Sequence, residues 1–375
     1  VFPVDVSVIL PIHSKSYAIS GLLGYEVFDG VTITGGLRQT WGKTTRSQRL
    51  IIPAIGLDST NTNIVKPSAL TGGASISWKV SPDLNVYANY GRSFRPGVAA
   101  TGVSTPLDPQ YLQTPDETSD GFEVGLKSSL FDGKVTLNVA AFYQKFKNYV
   151  DFAPSLTTNS SRIPGNVDTA TAPLPTFGDA ISKGVEVQVG FQPSEWMDFN
   201  VNATYADAHY DDALLYCNDY NGDGVPDSIG TPSVPGTNQV AVCARNDRIA
   251  DVPKFSLSSN GEVRFGMGSL TPFIRGLLSY RPGFTSQNSN YTYRDFTKID
   301  VFVGIRGEDR WELNLFVKNL LDQTRAQRVS QGNAQVSTGA LPGLEAFGTI
   351  PFDSGYRVAT ITAPREFGAT LRFNW

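Results

Sequence analysis

The sequence predicts an all-β protein, a transmembrane antiparallel β-barrel with about fourteen strands in this chain. Apolar and polar residues alternate with period two along most of the chain, and helical periodicity is almost absent. Many alternating segments reach or exceed the roughly 9–11 residues of a tilted membrane strand. Short turns alternate with long connections, as in barrels with short periplasmic turns and long extracellular loops.

The alternation is clear in three segments from different parts of the chain. They are "VTLNVAAFYQ" (135–144), "GVEVQVGFQ" (184–192) and "WELNLFVKN" (311–319). Alternation alone also describes a sheet with one face on a soluble core, so it leaves a soluble β-sandwich open. Strand length separates the two, because ordinary globular strands are about 5–6 residues long.

The connections fall into two classes that take turns along the chain. The short turns are predicted at 28–31, 81–84, 131–134, 193–198, 266–269 and 307–310. The long polar or Gly/Pro-rich connections are predicted at 42–66, 95–118, 151–180, 210–252, 282–295 and 326–359. In a barrel this alternation places all the long loops on one rim.

Composition excludes several classes of protein. No apolar run approaches the roughly 18 residues of a membrane-spanning helix, which excludes an α-helical membrane protein. Lys and Arg number 31 against 35 Asp and Glu, a balance that argues against a nucleic-acid partner. The two histidines, His13 and His209, lie far apart, and no nucleophile elbow or phosphate-binding loop occurs. We therefore expect no enzyme activity.

One polar segment carries the spacing of a calcium loop. In "CNDYNGDGVPD" (217–227), carboxylate and amide residues occupy positions 1, 3, 5 and 9 of an EF-hand-like loop, and a carbonyl occupies position 7. The predicted Ca²⁺ ligands are Asp219, Asn221, Asp223, Val225 and Asp227. Position 12 is Gly230 instead of the usual Glu, and such runs also form plain polar turns, so both interpretations stay open.

The only two cysteines, Cys217 and Cys243, flank this segment. An isolated pair forms a disulfide in an oxidising compartment or remains as two free thiols. A disulfide here would close a loop around the calcium segment and stiffen it.

Four stretches resemble one known family. The most specific is "PDETSDGFEVGLKSSLFDGKVTLNVAAFYQKFKNYV" (115–150), preceded by "SPDLNVYANYGRSFRPG" (81–97) and followed by "LNLFVKNLLDQT" (313–324) and "PREFGATLRFNW" (364–375). They are similar, in this order, to the barrel of TonB-dependent outer-membrane receptors of Gram-negative cells. The resemblance implies a 22-stranded barrel plugged by an N-terminal domain. It also implies import of scarce nutrients, driven by the TonB complex.

The chain departs from that family in size. With about fourteen strands, residues 1–375 are predicted to be one barrel region, the C-terminal part of a receptor, without plug or signal peptide. A barrel that closes on these strands alone is the alternative. The partners that the resemblance implies are outer-membrane lipid, the missing plug, the TonB complex through that plug, the barrel assembly machinery and a small-molecule ligand.

The predicted site residues follow from this placement. Arg92, Arg95 and Tyr111 flank the loop after "YANYGRSF" and are candidate contacts for an anionic chelate. Phe373 and Trp375 resemble the terminal signal for outer-membrane insertion. The polar side chains expected on the barrel interior, or on a solvated sheet face, are Arg38, Lys79, Arg92, Glu123, Lys127, Glu186, Glu262, Arg264, Arg275, Lys298, Asp300 and Lys318.

The functional hypothesis is an active-transport receptor for a ferric siderophore or similar iron chelate. Three alternatives remain: a passive outer-membrane channel, import of vitamin B12 or an oligosaccharide, and a soluble secreted sandwich or adhesin.

Overall fold

A computed structural model describes most of the chain as β-strands. The residues that it describes are 7–53, 56–100, 107–159, 169–219, 222–226, 239–286, 291–307, 310–330, 335–338, 350–353 and 356–373. In chain order the elements are β1 (Ser7–Ile9), β2 (Ile12–Phe28), β3 (Val31–Ile52), β4 (Leu57–Val65), β5 (Ser68–Ser81), β6 (Leu84–Arg95), α1 (Pro109–Leu112), β7 (Glu117–Leu130), β8 (Val135–Asn159), β9 (Thr169–Ser194), β10 (Met197–Tyr210), β11 (Ala213–Cys217), β12 (Ala241–Arg245), β13 (Phe255–Arg264), β14 (Leu270–Arg281), β15 (Phe284–Thr285), β16 (Thr292–Tyr293), β17 (Phe296–Gly307), β18 (Trp311–Lys318), β19 (Ala326–Val329), β20 (Gln335–Thr338), β21 (Ile350–Asp353), β22 (Ala359–Ile361) and β23 (Glu366–Phe373).

Fifteen of the described strands form one antiparallel sheet in which chain neighbours are sheet neighbours. β1 and β2 pair in succession with one edge of β3, and β4 and β5 pair in succession with its other edge. From β5 the order continues through β6, β7, β8, β9, β10, β13, β14, β17 and β18 to β23. The all-β, antiparallel fold class is therefore confirmed. Within the described residues, no helix has both the length and the apolar character that crossing a membrane requires.

Cross-strand register gives the sheet one apolar face and one polar face. On one face Ile33 pairs with Ile76 and Ile76 with Ala88. One residue along, Thr34 pairs with Ser75 and Ser75 with Asn89 on the other face. Directly paired residues share a face and successive residues alternate, so these pairs fix the parity of each strand. The apolar side chains are widely exposed, since no other described element covers them. This is the arrangement of a sheet whose outer face meets lipid.

The connections separate to the two ends of the sheet, as predicted. At one end the strands are joined by tight turns such as 131–134, where Asp132 and Gly133 adopt positive φ values of 57° and 85°. A glycine accepts that backbone conformation without steric cost, and Asp tolerates it better than most residues. We call this the short-turn end and the opposite one the long-loop end.

Two predicted long loops are instead continuations of strands. β3 and β4 carry the ladder through most of 42–66, and β8 and β9 reach far into 151–180. The loop prediction rested on the polar or Gly/Pro-rich composition of these segments. Backbone pairing does not need an apolar face, and Thr, which occurs four times in the first segment, is well suited to strands that stand in water.

Near the short-turn end the polar face is closely packed. The buried Phe273 ring lies against Gly304 on the next strand, and the Arg306 guanidinium lies 4.0 Å from the ring centroid. Arg306 donates two hydrogen bonds to the buried Glu262 carboxylate, at 2.7 and 2.9 Å. Glu262 also accepts hydrogen bonds from Arg264 and Arg275, so three guanidinium groups surround it. Such charge-assisted pairs fix the positions of long side chains on the inner wall.

We predict that Gly304→Ala destabilises the sheet. A Cβ at Gly304 would lie 2.5 Å from Phe273 Cζ and 2.6 Å from the Leu313 carbonyl oxygen. Overpacking of this kind costs about 1–3 kcal/mol, which should lower the urea midpoint of unfolding in detergent. Gly276→Ala on the adjacent strand is the control, because nothing lies within 4 Å of its Cβ position. Equal midpoints for the two variants would contradict the prediction.

Candidate functional site

The candidate site lies at the long-loop end, where the connection between β10 and β13 folds back onto the sheet. Its hairpin, β11 and β12, packs against the extended part of β9. Gly178 on β9 permits this approach, because a Cβ there would lie 2.5 Å from the Cβ of Ala213. The apolar centre of this contact is made by Ala180, Tyr210, Ala213 and Leu215, all buried. The hairpin therefore forms an ordered cover over the polar face of the sheet.

A set of charged and aromatic side chains surrounds this contact. We call Arg95, Glu117, Asp151, Tyr210 and Arg245 the mouth cluster. Arg95 and Glu117 are cross-strand partners on β6 and β7 and form an ion pair. Glu117 is buried and also accepts a 2.8 Å hydrogen bond from the Val150 amide.

Besides Asp151, Arg95 is the exposed member of the cluster, and it is the exposed cation. It donates to the Val150 carbonyl at 3.0 Å, and its guanidinium lies 5.8 Å from the centroid of the Tyr149 ring. Half of its side chain, 51%, is nevertheless exposed. A guanidinium has five N–H donors, so Arg95 is held on one side and keeps donors for a ligand on the other.

Tyr210, at the end of β10, supports the hairpin with its ring, and its hydroxyl fixes that ring to Asp151 on β8. The phenol donates a 2.6 Å hydrogen bond to Asp151, and Arg245 lies over the ring at 5.8 Å. Burial, reinforced by the bond to Asp151, raises the pKa of Tyr210, so the phenol stays protonated and keeps its donor role. Arg245 in turn forms an ion pair with Asp247.

The cysteines are joined within the hairpin. Cys217 on β11 and Cys243 on β12 form a disulfide across a Cα–Cα distance of 5.8 Å, and both are buried. The bridge spans 26 positions of sequence. Closing a loop of that length is worth roughly 3–4 kcal/mol by the chain-entropy model. The hairpin therefore carries a covalent constraint in a region with only small apolar clusters.

The predicted calcium segment begins directly after the disulfide. The buried Asp219 carboxylate accepts amide hydrogen bonds from Gly222 and Gly224, at 2.7 and 2.9 Å. Gly224 has a φ of 80°, the sharp turn that position 6 requires. Each Asp219 oxygen retains a second lone pair for a cation, so the residue suits position 1. Asp223 accepts a bond from the Val225 amide.

Two of the five predicted ligands, Asn221 and Asp227, lie outside the described residues. Among the residues that are described, no cluster of three His, Cys, Asp or Glu side chains is arranged to hold a metal ion. The calcium site therefore stays a prediction.

The three predicted ligand contacts separate in the structure. Arg95 lies in the mouth cluster on the polar face. Tyr111 in α1 packs edge-on against Tyr216, with ring centroids 5.7 Å apart, beside a buried apolar cluster. Arg92 was expected on the interior and this is wrong. It pairs with Asp120 on the apolar face, next to Tyr90, because three residues along a strand reverse the face. The other predicted interior side chains share the polar face.

Sequence reasoning missed most of the mouth cluster. Glu117 could have been predicted from the sequence. β6 and β7 are successive strands that pair, so an acidic residue at the start of β7 is a candidate partner for Arg95 at the end of β6. Asp151 and Tyr210 are 59 residues apart, and no spacing in the sequence indicates that they meet. At the C-terminus, Phe373 pairs with Trp311 on the exposed apolar face, and Trp375 lies outside the described residues.

Comparison with known proteins agrees with this architecture. A family model described as "TonB dependent receptor-like, beta-barrel" matches residues 10–320. The metal-pseudopaline receptor CntO of Pseudomonas aeruginosa (strain UCBPP-PA14) is 26% identical over 275 residues, which cover 72% of this chain and 32% of that protein. This chain thus spans about a third of that curated relative.

Solved structures share the fold. The ferric yersiniabactin uptake receptor FyuA from Yersinia pestis superposes with a TM-score of 0.66 at 16% identity, over 99% of this chain and 47% of that one. The ferric-catecholate import receptor Fiu from E. coli K12, in its closed form, gives 0.61 at 13% identity, over 96% and 45%. The chain spans about half of each.

The lipid-type outer face, polar inner face and alternating connections define a strand-built membrane protein. The chain belongs to the TonB-dependent receptor-like β-barrel family, whose members lie in the outer membrane of Gram-negative cells. Members of the family are transport receptors, which confirms the prediction that the protein is not an enzyme.

We predict that Tyr210→Phe loosens the contact between the sheet and the β11–β12 hairpin, because the hydroxyl fixes the ring on which the hairpin packs. The variant loses one hydrogen bond to Asp151, worth about 1 kcal/mol, and keeps the packing of the ring. Amide hydrogen exchange at 213–217 should accelerate about fivefold. Tyr205→Phe, on the half-exposed apolar face, should leave exchange unchanged. Equal exchange in Tyr210→Phe and the parent protein would show that the bond does not hold the hairpin.

We predict that calcium protects the segment between Cys217 and Cys243 from proteolysis. Calcium at millimolar concentration should slow cleavage there, and EDTA should restore it, with the disulfide kept oxidised throughout. Magnesium at equal ionic strength is the control. An EF-hand-like loop offers many oxygen ligands in a flexible geometry, which suits Ca²⁺ better than the strictly octahedral Mg²⁺. Identical cleavage in calcium and in EDTA would show that the segment is a polar turn without metal.

Proposed function

We propose that the protein is the barrel region of an outer-membrane receptor that binds and imports a scarce nutrient, a ferric siderophore or similar metal chelate. The observation that carries the proposal is the mouth cluster. An accessible arginine stands on the polar face at the long-loop end of a barrel whose family consists of transport receptors. Such a site suits an anionic small molecule, because a guanidinium binds carboxylate and catecholate oxygens through several donors.

The relatives support the substrate class. Their names refer to metal-pseudopaline, ferric yersiniabactin and ferric catecholate, which are all metal chelates. The proposed transport uses a plug that moves when the TonB complex pulls it, so the barrel supplies the wall and the external ligand contacts. Arg95 and Tyr111 are the proposed contacts within this chain. Arg92 is withdrawn, since it faces away from the polar side.

The alternatives make different predictions about energy and ligand. A passive channel transports solute without the TonB complex, and its transport rate saturates only weakly with solute concentration. A receptor for vitamin B12 or an oligosaccharide is energised but does not depend on metal. Uptake of labelled iron chelates, vitamin B12 and oligosaccharides in a deletion strain, with and without the TonB complex, therefore separates all three. TonB-dependent uptake of a metal chelate is expected, and TonB-independent flux would overturn the proposal.

We predict that Arg95→Gln weakens chelate binding by about tenfold, the effect of losing one charge-assisted hydrogen bond of about 1.5 kcal/mol. The measurement is the apparent Kd of the bound chelate on whole cells. Arg92→Gln is the matched control, three residues away on the same strand but on the apolar face, and should bind as the parent does.

Because Glu117 loses its ion partner in Arg95→Gln, folding needs its own check. Arg95→Lys keeps the charge and should restore part of the affinity, and heat-dependent gel mobility shows whether each barrel is folded. A folded Arg95→Gln receptor with parental affinity would remove Arg95 from the binding site.

A further inference from the structure

Three lysines form a row across the apolar face. Lys15 on β2 and Lys43 on β3 are direct cross-strand partners. The preceding pair on the same face is Tyr17 with Trp41, two large aromatics that are both exposed. The two lysines therefore lie one step beyond an aromatic pair, toward the long-loop end.

Lys66 extends the row to a third strand. β4 pairs with β3 up to Thr44 opposite Val65, so the next position in that register places Lys66 opposite Lys43. The pairing of β3 with β5 continues the same register beyond Lys66, where Trp41 lies opposite Ser68. Neighbouring strands lie about 4.8 Å apart, so the three lysines begin within a width of about 10 Å.

The row has no acidic partner within the described part of the chain. No ion pair there involves Lys15, Lys43 or Lys66, and all three side chains are exposed. Another lysine on this face does have a carboxylate, since Lys145 lies 3.3 Å from Asp211. Like charges directly opposite each other on a sheet are destabilising. We therefore expect an anionic partner from outside the sheet to bind the three lysines.

The height of the row on the wall indicates where that partner lies. On β3 the apolar face runs from Val31 at the short-turn end to Trp41, ten residues along the strand. At about 3.3 Å per residue and a tilt of about 40°, this gives about 25 Å, the height of the apolar band of a membrane barrel. Tyr and Trp mark the level of the lipid headgroups. One step beyond Trp41, a lysine ammonium reaches the headgroup layer of the external leaflet.

We propose that Lys15, Lys43 and Lys66 form a binding site for the phosphate groups of an external-leaflet lipid. The apolar rows below the lysines hold the acyl chains, and the ammonium groups extend past Tyr17 and Trp41 to meet the phosphates. Each lysine near an anionic lipid surface adds about a factor of five in affinity. Free phosphate lacks acyl chains and gains nothing from the apolar rows.

The test measures lipid binding to the full-length receptor in nonionic detergent. Lipid A, which carries phosphate groups on a sugar headgroup, is titrated and its adducts are counted by native mass spectrometry. The variant Lys15→Gln/Lys43→Gln/Lys66→Gln should bind lipid A about 100-fold more weakly. The loss should shrink as salt rises, because exposed charges are screened. Inorganic phosphate should not compete at equal concentration.

The control removes three other lysines toward the long-loop end of the sheet, two of which, Lys145 and Lys183, lie on the same face. Lys145→Gln/Lys183→Gln/Lys254→Gln carries the same change in charge but alters lysines that face Asp211 and Asp207. It should retain lipid A affinity within about twofold. Lys15→Arg/Lys43→Arg/Lys66→Arg should also retain it, since the charge is kept.

A further readout excludes a merely structural role for the row. In detergent without lipid A, the Gln variant should unfold at the same temperature as the parent or higher, because it loses like-charge repulsion. Parental lipid A affinity in the Gln variant would overturn the proposal. Equal losses in the Gln variant and the matched control would overturn it too, as would competition by inorganic phosphate.

Discussion

The structure depends on one constraint: in lipid, every backbone N–H and C=O must find its partner within the protein. The long antiparallel ladder meets that constraint for the strands that lie between β2 and β23, which are paired on both edges. Once the ladder is set, the parity of a residue decides whether it faces lipid or the interior. The exposed apolar rows, the charged inner wall and the position of Arg95 all follow from that parity.

The wall and the mouth are stabilised differently. Near the short-turn end, Glu262 is surrounded by Arg264, Arg275 and Arg306, and the Phe273 ring packs beneath the guanidinium groups. These contacts join β13, β14 and β17. At the long-loop end the chain leaves the sheet, so a disulfide and a turn around Asp219 constrain the hairpin, and a phenol hydrogen bond fixes the Tyr210 ring on which it packs. A rigid wall that supports constrained loops suits a protein whose recognition takes place in its loops.

Arg92 and Arg95 illustrate how far sequence reasoning reaches. Both are basic and both flank the same connection, so composition treats them alike. An odd separation along a strand places them on opposite faces, Arg92 with Asp120 and Arg95 with Glu117. Strand parity could have been read from the sequence. The partners could not, because cross-strand register depends on how β6 and β7 align.

The sequence by itself determined the fold class, the two-faced strands, the alternation of turns and loops, and the family, because period-two patterning is written along each strand. The tertiary structure decided where the strands end, as in β3 and β8, and which distant residues meet, as with Asp151 and Tyr210. It also aligned Lys15, Lys43 and Lys66 in one row. Contacts between strands depend on register, and register is set by the whole sheet and not by any one segment.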